Sequence, residues 1–365
     1  MQAKKLELKD FRNYTEQELS FTGGVNIIFG DNAQGKTNIL EAIYMFSMGK
    51  ANRARKDAEL IRYGCDSAKA ALEFSGRERE STAEINLFKN RRKVITVNDI
   101  PIRRNSELVG RFPVIYFGPE YLSLVKEGPK QRRRSIDILI SQLKPRYFSA
   151  LSDLKKITES KNALLKMDRP NAAMLEIINE KLSSISAEII FYRCEYIKKA
   201  AQLAADIQLE ASNGAEKLEM LYMSSIGEAD GLSIAEIKAK FNKKLEEVSK
   251  REFDTCESVV GPHREDIEYL INGKSAKSFA SQGQQKTIVL VQKLAEVGII
   301  QEETGENPVL LLDDIMSELD KKRRAFILNH INDTQIIVTC TDTDGFDIPG
   351  DTRLFEVKNG SALQL

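Results

Sequence analysis

The chain has 365 residues, of which 42% are hydrophobic and 30% are charged, and its net charge is zero. This composition is typical of a globular protein with a sizeable core, and the length suggests two or three domains. No run of about 18 apolar residues and no apolar leader is found, so we expect a cytoplasmic protein without a membrane span. The scattered cysteines and only two histidines argue against a structural zinc site.

The first 115 or so residues predict a β-rich lobe. Residues 3–9 and 16–20 read as strands on either side of the turn Asp10–Tyr14. Further strands are predicted at 68–74, 81–88, 93–97 and 113–117, with a hairpin turn at Asn98-Asp99. Basic side chains at 50–62 fit the solvated start of a helix as well as a binding role. Those around the hairpin fit a charged sheet edge as well as an electropositive loop pair, and these interpretations stay open.

A glycine-rich loop between a predicted strand and a predicted helix is the most specific motif. It fits the pattern G-x-x-x-x-G-K-[ST], follows the apolar run Val25–Phe29 and precedes a helical apolar stripe. The loop consists of Gly30, Asp31, Asn32, Ala33, Gln34, Gly35, Lys36 and Thr37. In such a loop, backbone N–H groups surround phosphate oxygens, the lysine reaches the β- and γ-phosphates, and the threonine binds Mg²⁺. The sequence therefore predicts a site for ATP and Mg²⁺.

The middle of the chain is predicted to be helical. A helix is expected to begin near Pro129, another spans 146–167, and apolar residues from Leu175 to Tyr196 recur at alternating spacings of three and four. Two helices joined at Arg169-Pro170-Asn171 predict a short arm. The core of a compact helical subdomain fits the same pattern. A strand at 216–224 and a helix at 233–250 follow.

The last part of the chain alternates strands and helices again. A strand at 266–271 enters a hairpin at Asn272-Gly273, and a final hairpin is predicted around Asn359-Gly360. The apolar strand Val309–Leu312 ends in Asp313 and Asp314, which is the Walker B pattern. In that pattern Asp313 would hold Mg²⁺, and Asp314 would orient or deprotonate the attacking water.

Lys36 and Asp313 are much farther apart in sequence than a minimal P-loop core requires, which indicates an insertion. The predicted domains are an N-terminal part of an ATPase head at 1–124, a helical arm at 125–250, and a C-terminal part of the head at 251–365. The two terminal segments would together form one domain.

Ser281-Gln-Gly283-Gln-Gln resembles the signature motif of ABC-type ATPases. In that class, such a serine and glycine at a helix N-terminus contact the γ-phosphate of ATP held by a second subunit, so that ATP lies inside a dimer. Ser317–Asp320 resembles the D-loop that follows Walker B in the same class. For Ser281 taken alone, a simple helix N-cap stays open as an explanation.

The ordered motifs resemble those of the SMC-like DNA-repair ATPases and, within that group, the RecF family. The residues that carry the resemblance are Asp10-Phe-Arg-Asn-Tyr14, Gly30–Asn38, Pro119-Glu120, Gly128-Pro-Lys-x-Arg-Arg-x-x-x-Asp137, Gly261-Pro-His-Arg264, Ser281-x-Gly-Gln284 and Leu312–Asp320. The resemblance implies an α/β fold. It comprises an ABC-type P-loop ATPase head, split between the N- and C-terminal segments, with an inserted helical arm domain.

The resemblance also implies a function in DNA replication and recombinational repair. Such a protein would bind DNA, dimerise on ATP, hydrolyse ATP slowly, and help to load recombinase at single-strand gaps together with RecR and RecO. Arg12 would contact phosphate, and Glu120 would stand at the Q-loop position. DNA, as duplex or as a junction of single and double strands, would be bound without sequence reading by basic side chains. The candidates are Lys130, Arg132, Arg133, Arg134, Arg53, Arg55 and Lys56.

The sequence departs from the ABC pattern at one position, and two other functions are considered. ABC ATPases usually have a histidine after the last core strand, whereas no histidine lies near Thr341-Asp342, which leaves the γ-phosphate sensor undetermined and fits slow turnover. A transporter- or translation-type ATPase subunit acting on protein partners is the alternative function. An ATP-driven nuclease lacks a second acidic cluster in any recognisable nuclease motif.

Overall fold

The computed structural model of the chain describes residues 1–77, 79–331, 333–343 and 350–365. These residues form two compact units. Unit 1 combines Met1–Leu122 with Val289–Leu365, and unit 2 consists of Ser123–Ile288. Among the described residues, no helix combines the length and the apolar character that crossing a bilayer requires.

The strands and helices are numbered separately along the chain. The strands are β1 (Gln2–Phe11), β2 (Tyr14–Ser20), β3 (Val25–Phe29), β4 (Ser67–Ser75), β5 (Glu80–Phe88), β6 (Val94–Val97), β7 (Ile100–Ile102), β8 (Val114–Phe117), β9 (Leu218–Met223), β10 (Asp266–Ile271), β11 (Lys274–Ser275), β12 (Val309–Asp313), β13 (Ile336–Cys340), β14 (Thr352–Lys358) and β15 (Ser361–Gln364). The helices are α1 (Lys36–Met48), α2 (Pro129–Leu143), α3 (Pro145–Leu165), α4 (Ala172–Ala211), α5 (Ile234–Thr255), α6 (Ala276–Phe279), α7 (Gln282–Thr304) and α8 (Lys321–His330).

The first sheet of unit 1 has the strand order β15-β14-β3-β13-β12-β8. All of its strands run parallel except β15. Strands β12, β13 and β8 are buried along their whole length and β3 along nearly all of it, as expected for parallel strands covered on both faces. The carboxyl ends of β3, β13, β12 and β8 therefore lie side by side at one edge, which is the ligand-binding edge of open α/β sheets.

The second sheet of unit 1 is antiparallel, with the order β2-β1-β4-β5-β6-β7. Its strands agree with those predicted from the sequence, apart from shifts of one or two residues at their ends. The predicted hairpin turn between β6 and β7 is confirmed, because Asn98 and Asp99 both have positive φ angles, of 49° and 63°. Asn359 and Gly360 confirm the final hairpin in the same way, with φ of 51° and 72°.

Helix α1 packs against both sheets of unit 1. It contacts β12, β13 and β8 of the parallel sheet and β4 of the antiparallel sheet. It is therefore buried on almost every side, and its buried residues include Glu41 and Ser47. The sequence predicted only a single apolar stripe. The basic stretch that follows α1 contains only the short 3₁₀ helix Asp57–Leu60, so the interpretation of 50–62 as a solvated helix is wrong.

Unit 2 is built around the long helix α4, which packs against α3, α5, α2 and β9. Ile178, Leu182, Ile189 and Tyr196 of the predicted heptad stripe are buried in these contacts. The predicted break is confirmed, because Asn171 caps α4 by accepting a hydrogen bond from the Met174 N–H. The stripe thus forms the core of a helical domain.

A buried polar network fixes the other motifs of unit 2. The guanidinium of Arg193, on α4, donates to both carboxylate oxygens of Asp137 at 3.0–3.1 Å and to the Glu265 carboxylate at 3.0 Å. It also donates to the Pro262 carbonyl at 2.7 Å. A buried charge is tolerated only when it is paired and hydrogen-bonded, as Arg193 is here. The motifs containing Asp137 and Pro262 therefore have a structural role.

A small sheet with the order β11-β10-β9 explains the extent of unit 2. Strand β10 pairs antiparallel with β9, from Asp266 opposite Met223 to Ile271 opposite Leu218. This pairing keeps the segment after residue 250 with the helices, so unit 2 ends at Ile288, within α7. The predicted boundary after 250 therefore differs from the compact unit, whereas the predicted boundary after 124 lies close to Leu122.

Candidate nucleotide-binding site

The glycine-rich loop lies between β3 and α1, at the carboxyl edge of the parallel sheet. Gly30 and Gly35 have positive φ angles of 143° and 115°, a region that side chains rarely adopt. A Cβ atom at Gly30 would also clash with the Val357 carbonyl, and one at Gly35 would clash with the Asn13 side chain. Both glycines are therefore required by backbone conformation and by close contact. Asp31, Asn32 and Ala33 form the exposed crown of the loop.

The turn between β1 and β2 is hydrogen-bonded to the glycine-rich loop. The Tyr14 hydroxyl donates to the Gly35 carbonyl at 3.1 Å, and Asn13 Nδ2 donates to the Gln34 carbonyl at 2.8 Å. Asn38 Nδ2, on α1, donates in turn to Asn13 Oδ1 at 2.8 Å. These bonds explain why Asn13 and Tyr14 belong to the sequence motif: they hold the backbone carbonyls of the loop, so that its N–H groups face the opposite side.

Lys36 is the first residue of α1 and is only 7% exposed. Its Nζ donates to the carbonyls of Gly30 and Asp31, the latter at 2.9 Å. The ammonium group is therefore held inside the curl of the loop. A positive charge in this position, at the N-terminus of a helix, suits the binding of a phosphate chain.

The Asp313 carboxylate is fully buried and accepts four hydrogen bonds. Its Oδ1 accepts from the hydroxyls of Thr37 at 2.8 Å and Thr339 at 2.9 Å. Its Oδ2 accepts from the Tyr116 hydroxyl at 2.7 Å and from the Arg53 guanidinium at 2.8 Å. Burial and the neighbouring carboxylates of Asp313 and Glu120 raise the pKa of Tyr116, so the phenol stays protonated and donates. The structure thus brings together the predicted metal-binding pair, Thr37 and Asp313.

Asp314 follows Asp313 at the end of β12 and adopts a positive φ of 52°. Its N–H donates to Thr339 Oγ1 at 2.9 Å, and its carbonyl accepts from the Ser317 hydroxyl at 2.7 Å. Partial burial raises the pKa of the Asp314 carboxyl; Lys36 opposes this rise, and the adjacent Asp313 adds to it. A carboxylate with a raised pKa is a better proton acceptor than an ordinary aspartate.

Arg53 lies in this site, whereas the sequence suggested it as a contact for DNA. Its guanidinium pairs with Asp313, and Glu120 Oε2 lies 3.9 Å from the same nitrogen. Asn52 Nδ2 donates to Glu120 Oε1 at 3.1 Å. The attraction of a buried carboxylate explains why Arg53 turns towards the loop, and contact between Arg53 and DNA stays a prediction. Glu120, expected at the Q-loop position, reaches the same edge of the sheet.

Arg12, expected to contact phosphate, pairs with the buried carboxylate of Glu41 on α1. Its Nε and a terminal nitrogen donate to Glu41 Oε2 at 3.0 and 2.7 Å. The other carboxylate oxygen of Glu41 accepts from the backbone N–H groups of Arg53 and Ala54, at 3.3 and 3.2 Å. Glu41 therefore links Arg12 to the segment that carries Arg53.

The signature-like segment, residues 281–285, lies in unit 2 and opens α7. The Ser281 hydroxyl accepts from the Gln284 N–H at 3.2 Å, while the Ser281 N–H donates to Gln284 Oε1 at 2.8 Å. These reciprocal bonds form a capping box, so Ser281 does act as a helix N-cap. Ser281 is exposed and Gly283 is half-buried, so both lie near solvent at a helix N-terminus.

Comparison with known proteins decides which family carries this arrangement. A family model described as RecF/RecN/SMC N terminal domain matches residues 2–359. The DNA replication and repair protein RecF of Acetivibrio thermocellus is 40% identical over 94% of this chain and 94% of that protein. The protein of the same name from Clostridium perfringens is 38% identical over 99% of both chains. The chain belongs to the RecF family.

Solved structures agree with this assignment. A structure described as the recombination mediator protein RecF-ATPrS in the RecFOR pathway has a TM-score of 0.94 at 37% identity, and it covers 100% of this chain and 98% of that chain. An Smc head bound to the C-winged helix domain of ScpA has a TM-score of 0.56 at 16% identity, covering 100% and 97%, which shows a shared fold. The predicted fold class, an ABC-type ATPase head with a helical insertion, is confirmed.

The basic residues at the start of α2 differ in their exposure and in their partners in this member of the RecF family. Arg132 is 3% exposed and forms two bonds with the Asp266 carboxylate, at 2.7 and 2.9 Å. Arg133 is half-buried and donates to the Glu265 carbonyl. Because a buried, paired guanidinium is not available to phosphates, the expectation for Arg132 is corrected.

The remaining candidates lie nearer to solvent. The side chains of Lys130 and Arg134 are exposed at the start of α2, in unit 2. Arg55 and Lys56 are exposed in the segment that follows α1, in unit 1. These four residues and the half-buried Arg133 stay candidates for contact with DNA.

Three residues of the site were missed in the sequence. Thr339 and Tyr116 both contact Asp313, and Glu41 orients Arg12 and the Arg53 segment. A signal was present for the first two, since each is a polar residue near the end of an otherwise apolar buried strand. Glu41 stands among apolar residues of α1, where an acidic side chain is rarely buried without a partner.

We expect Tyr116→Phe to lower the free energy of unfolding by about 1–2 kcal/mol, because it removes a buried hydrogen bond to a carboxylate. Urea denaturation followed by circular dichroism measures the effect. Tyr63→Phe is the matched control, because Tyr63 is fully exposed, and it should leave the midpoint unchanged. Equal midpoints for the two variants would show that Tyr116 does not hold Asp313.

Proposed function

We propose that the chain is an ATP-dependent DNA-binding protein of DNA replication and recombinational repair. It dimerises on ATP, hydrolyses ATP slowly and helps to load recombinase at single-strand gaps. The observation that carries the proposal is the convergence of the Lys36 loop, Thr37, Asp313 and Asp314 at one sheet edge, in a chain of the RecF family. Curated relatives are named DNA replication and repair protein RecF, which supports the biological setting.

In this proposal the backbone N–H groups of Gly30, Asp31, Asn32, Ala33, Gln34, Gly35, Lys36 and Thr37 surround the ATP phosphates. Lys36 leaves the Gly30 and Asp31 carbonyls to neutralise the β- and γ-phosphates. A similar solved structure is described as RecF-ATP, which supports ATP as the nucleotide. Arg12, whose guanidinium is held by the Glu41 carboxylate, is proposed to contact phosphate beside the loop.

The Thr37 hydroxyl and the Asp313 carboxylate are hard oxygen ligands 2.8 Å apart, a donor set that fits Mg²⁺. When bound there, Mg²⁺ neutralises charge that develops on the phosphates. Tyr116 and Thr339 keep the Asp313 carboxylate in place from the buried side. Arg53 is the most exposed of the four donors, with a 45% exposed side chain, and is therefore the one best placed to leave Asp313 for a phosphate.

Asp314 is the proposed general base that accepts a proton from the attacking water. Its raised pKa suits this task. Lys36, which neutralises the phosphates, is the other proposed catalytic residue. The two histidines, His263 and His330, both precede β13, so neither occupies the ABC sensor position after that strand. We propose that turnover is slow for this reason.

Ser281 and Gly283 are proposed to contact the γ-phosphate bound by a second copy of the chain, from the N-terminus of α7. Exposure of Ser281 and its position at a capped helix end support this role. The predicted division into an ATPase head and a helical arm remains part of the proposal. DNA would contact Lys130, Arg134, Arg55 and Lys56, with RecR and RecO as partners by family membership.

Lys36→Ala should abolish ATP-dependent dimerisation, because it removes the charge held inside the phosphate loop. We expect ATP affinity to fall at least about tenfold, as for a lost hydrogen bond to a charged group. Sedimentation velocity with Mg²⁺, with and without ATP and then with gapped duplex DNA, measures both dimer and DNA complex. A wild-type chain that stays monomeric with ATP, or a Lys36→Ala chain that dimerises normally, would overturn the gating proposal.

ATP hydrolysis should decline on acidification at a pH above the ordinary aspartate pKa of about 3.9. The Asp314 carboxylate must be unprotonated to accept a proton, and burial raises its pKa, so protonation stops turnover earlier. Asp314→Asn should lower kcat by about 100-fold or more while ATP-dependent dimerisation persists. Glu318→Gln removes a negative charge that raises the pKa of Asp314, so it should move the acidic limb slightly to lower pH. An unchanged limb in that variant would contradict the assignment.

Charge reversal separates DNA from protein partners. Lys130→Glu/Arg134→Glu should weaken duplex binding about tenfold or more. The slope of log affinity against log salt concentration should become shallower by roughly two, which corresponds to two lost phosphate contacts. The matched control is Lys155→Glu/Lys156→Glu, which reverses two exposed charges on α3. Fluorescence anisotropy at several salt concentrations measures both. Unchanged DNA affinity in the first variant would favour an ATPase that acts on protein partners.

A further inference from the structure

A chain of hydrogen bonds connects Ser281 to the C-terminal end of α4, and all of its residues belong to unit 2. Gln284 Oε1 accepts from the Ser281 N–H at 2.8 Å, and Gln284 Nε2 donates to Glu216 Oε1 at 2.9 Å. The second oxygen of Glu216 accepts from Gln208 Nε2 at 2.7 Å. Gln208 lies on α4 and is fully buried. The link therefore ends on a fixed part of the domain.

The segment 215–217, which contains Glu216, is also hydrogen-bonded to the hairpin that leads to Ser281. Asn272 Oδ1 accepts from the Lys217 N–H at 2.8 Å, and Asn272 Nδ2 donates to the Ala215 carbonyl at 3.2 Å. The Asn272 N–H donates to the Lys217 carbonyl at 2.9 Å. Asn272 forms the turn between β10 and β11, after which α6 leads directly to Ser281. Residues 215–217 are thus bonded to the chain both before and after Ser281.

The polarity of the link makes Glu216 the residue that orients it. An ionised carboxylate only accepts hydrogen bonds, so it selects the NH₂ end of the Gln284 amide. The oxygen end of that planar amide is then directed at the Ser281 N–H. The reciprocal bond from the Gln284 N–H fixes the Ser281 hydroxyl. Without Glu216, the amide could rotate and the capping box would lose its orientation.

We propose that Glu216 is a positioning residue that, through Gln284, sets the orientation of Ser281 and so ties the ATP-dependent contact with a second copy of this chain to the end of α4. The inference rests on the proposed function of Ser281. It adds a coupling: displacement of the end of α4 changes the affinity of the dimer, and dimerisation on ATP biases α4 to the same extent.

The substitution Glu216→Gln breaks the link without changing its size. The new amide can accept only through one of its two ends, so either Gln208 or Gln284 faces a donor. We expect the dimer dissociation constant with ATP to rise about three- to tenfold, which corresponds to one lost hydrogen bond. ATP binding by the monomer should not change, because every residue of the phosphate loop is untouched.

The double substitution Gln208→Glu/Glu216→Gln reverses the direction of the bonds and restores them. The new carboxylate at position 208 accepts from the new amide at position 216, whose oxygen then accepts from Gln284. We expect the dimer constant to recover only in part, because position 208 is fully buried and the second oxygen of the new carboxylate takes the place of Gln208 Oε1, which has no hydrogen-bond partner in the described part of the chain. Glu219→Gln is the matched control, because Glu219 lies on β9 close to the link and pairs with Lys217 at 3.9 Å rather than with Gln208 or Gln284.

Two measurements test the inference. Hydrogen–deuterium exchange of the peptide containing Ser281 reports the link without ATP, and should be faster in Glu216→Gln and normal in the control variant. Sedimentation velocity with ATP and Mg²⁺, alongside binding of a fluorescent ATP analogue at concentrations where the chain is monomeric, separates dimerisation from nucleotide affinity. Unchanged exchange or an unchanged dimer constant in Glu216→Gln would overturn the inference. If exchange responds as expected but wild type stays monomeric with ATP, the proposed role of Ser281 fails and the coupling fails with it.

Discussion

The buried carboxylate of Asp313 is the constraint on which the nucleotide site depends. Four donors from different parts of the chain meet on its two oxygens: Thr37 from α1, Thr339 from β13, Tyr116 from β8 and Arg53 from the segment after α1. A buried charge with fewer partners would destabilise the fold. The strand order that places β8, β12, β13 and β3 side by side therefore also brings together the donors that satisfy this charge. Because Thr37 is one of these donors, the same contacts hold the end of the phosphate loop.

Unit 2 also contains a buried charged group, the guanidinium of Arg193, whose hydrogen-bond partners come from distant segments. This guanidinium joins α2, α4 and the loop before β10, through Asp137, Glu265 and the Pro262 carbonyl. The two units are thus each organised by a buried ionic group whose partners come from distant segments. In unit 1 that group lies at the nucleotide edge. In unit 2 it lies among the helices that precede the signature-like segment.

The parts of the molecule that could be predicted from sequence are those whose cause is local. Gly30 and Gly35 mark the phosphate loop, Asn272-Gly273 and Asn359-Gly360 mark hairpins, and Val309–Leu312 marks a buried strand. The ion pairs of Arg53 and Arg132 could not be predicted, because a basic side chain looks the same in sequence whether it meets solvent or a buried carboxylate. Their partners, Asp313 and Asp266, are far away along the chain. The pairing of β9 with β10, which joins the segment after residue 250 to unit 2, likewise depends on residues that are far apart in sequence.

Helix α4 has a mechanical consequence beyond its packing. It runs without interruption from Ala172 to Ala211, 40 residues, which corresponds to about 60 Å at 1.5 Å per residue. Gln208 stands near one end, and Ile178 near the other. A rotation of about 5° around the Gln208 end would displace the far end by about 5 Å, calculated for a rigid helix of this length. For a rigid helix of these proportions, an adjustment of less than 1 Å beside Glu216 would correspond to a movement several times larger at the opposite end.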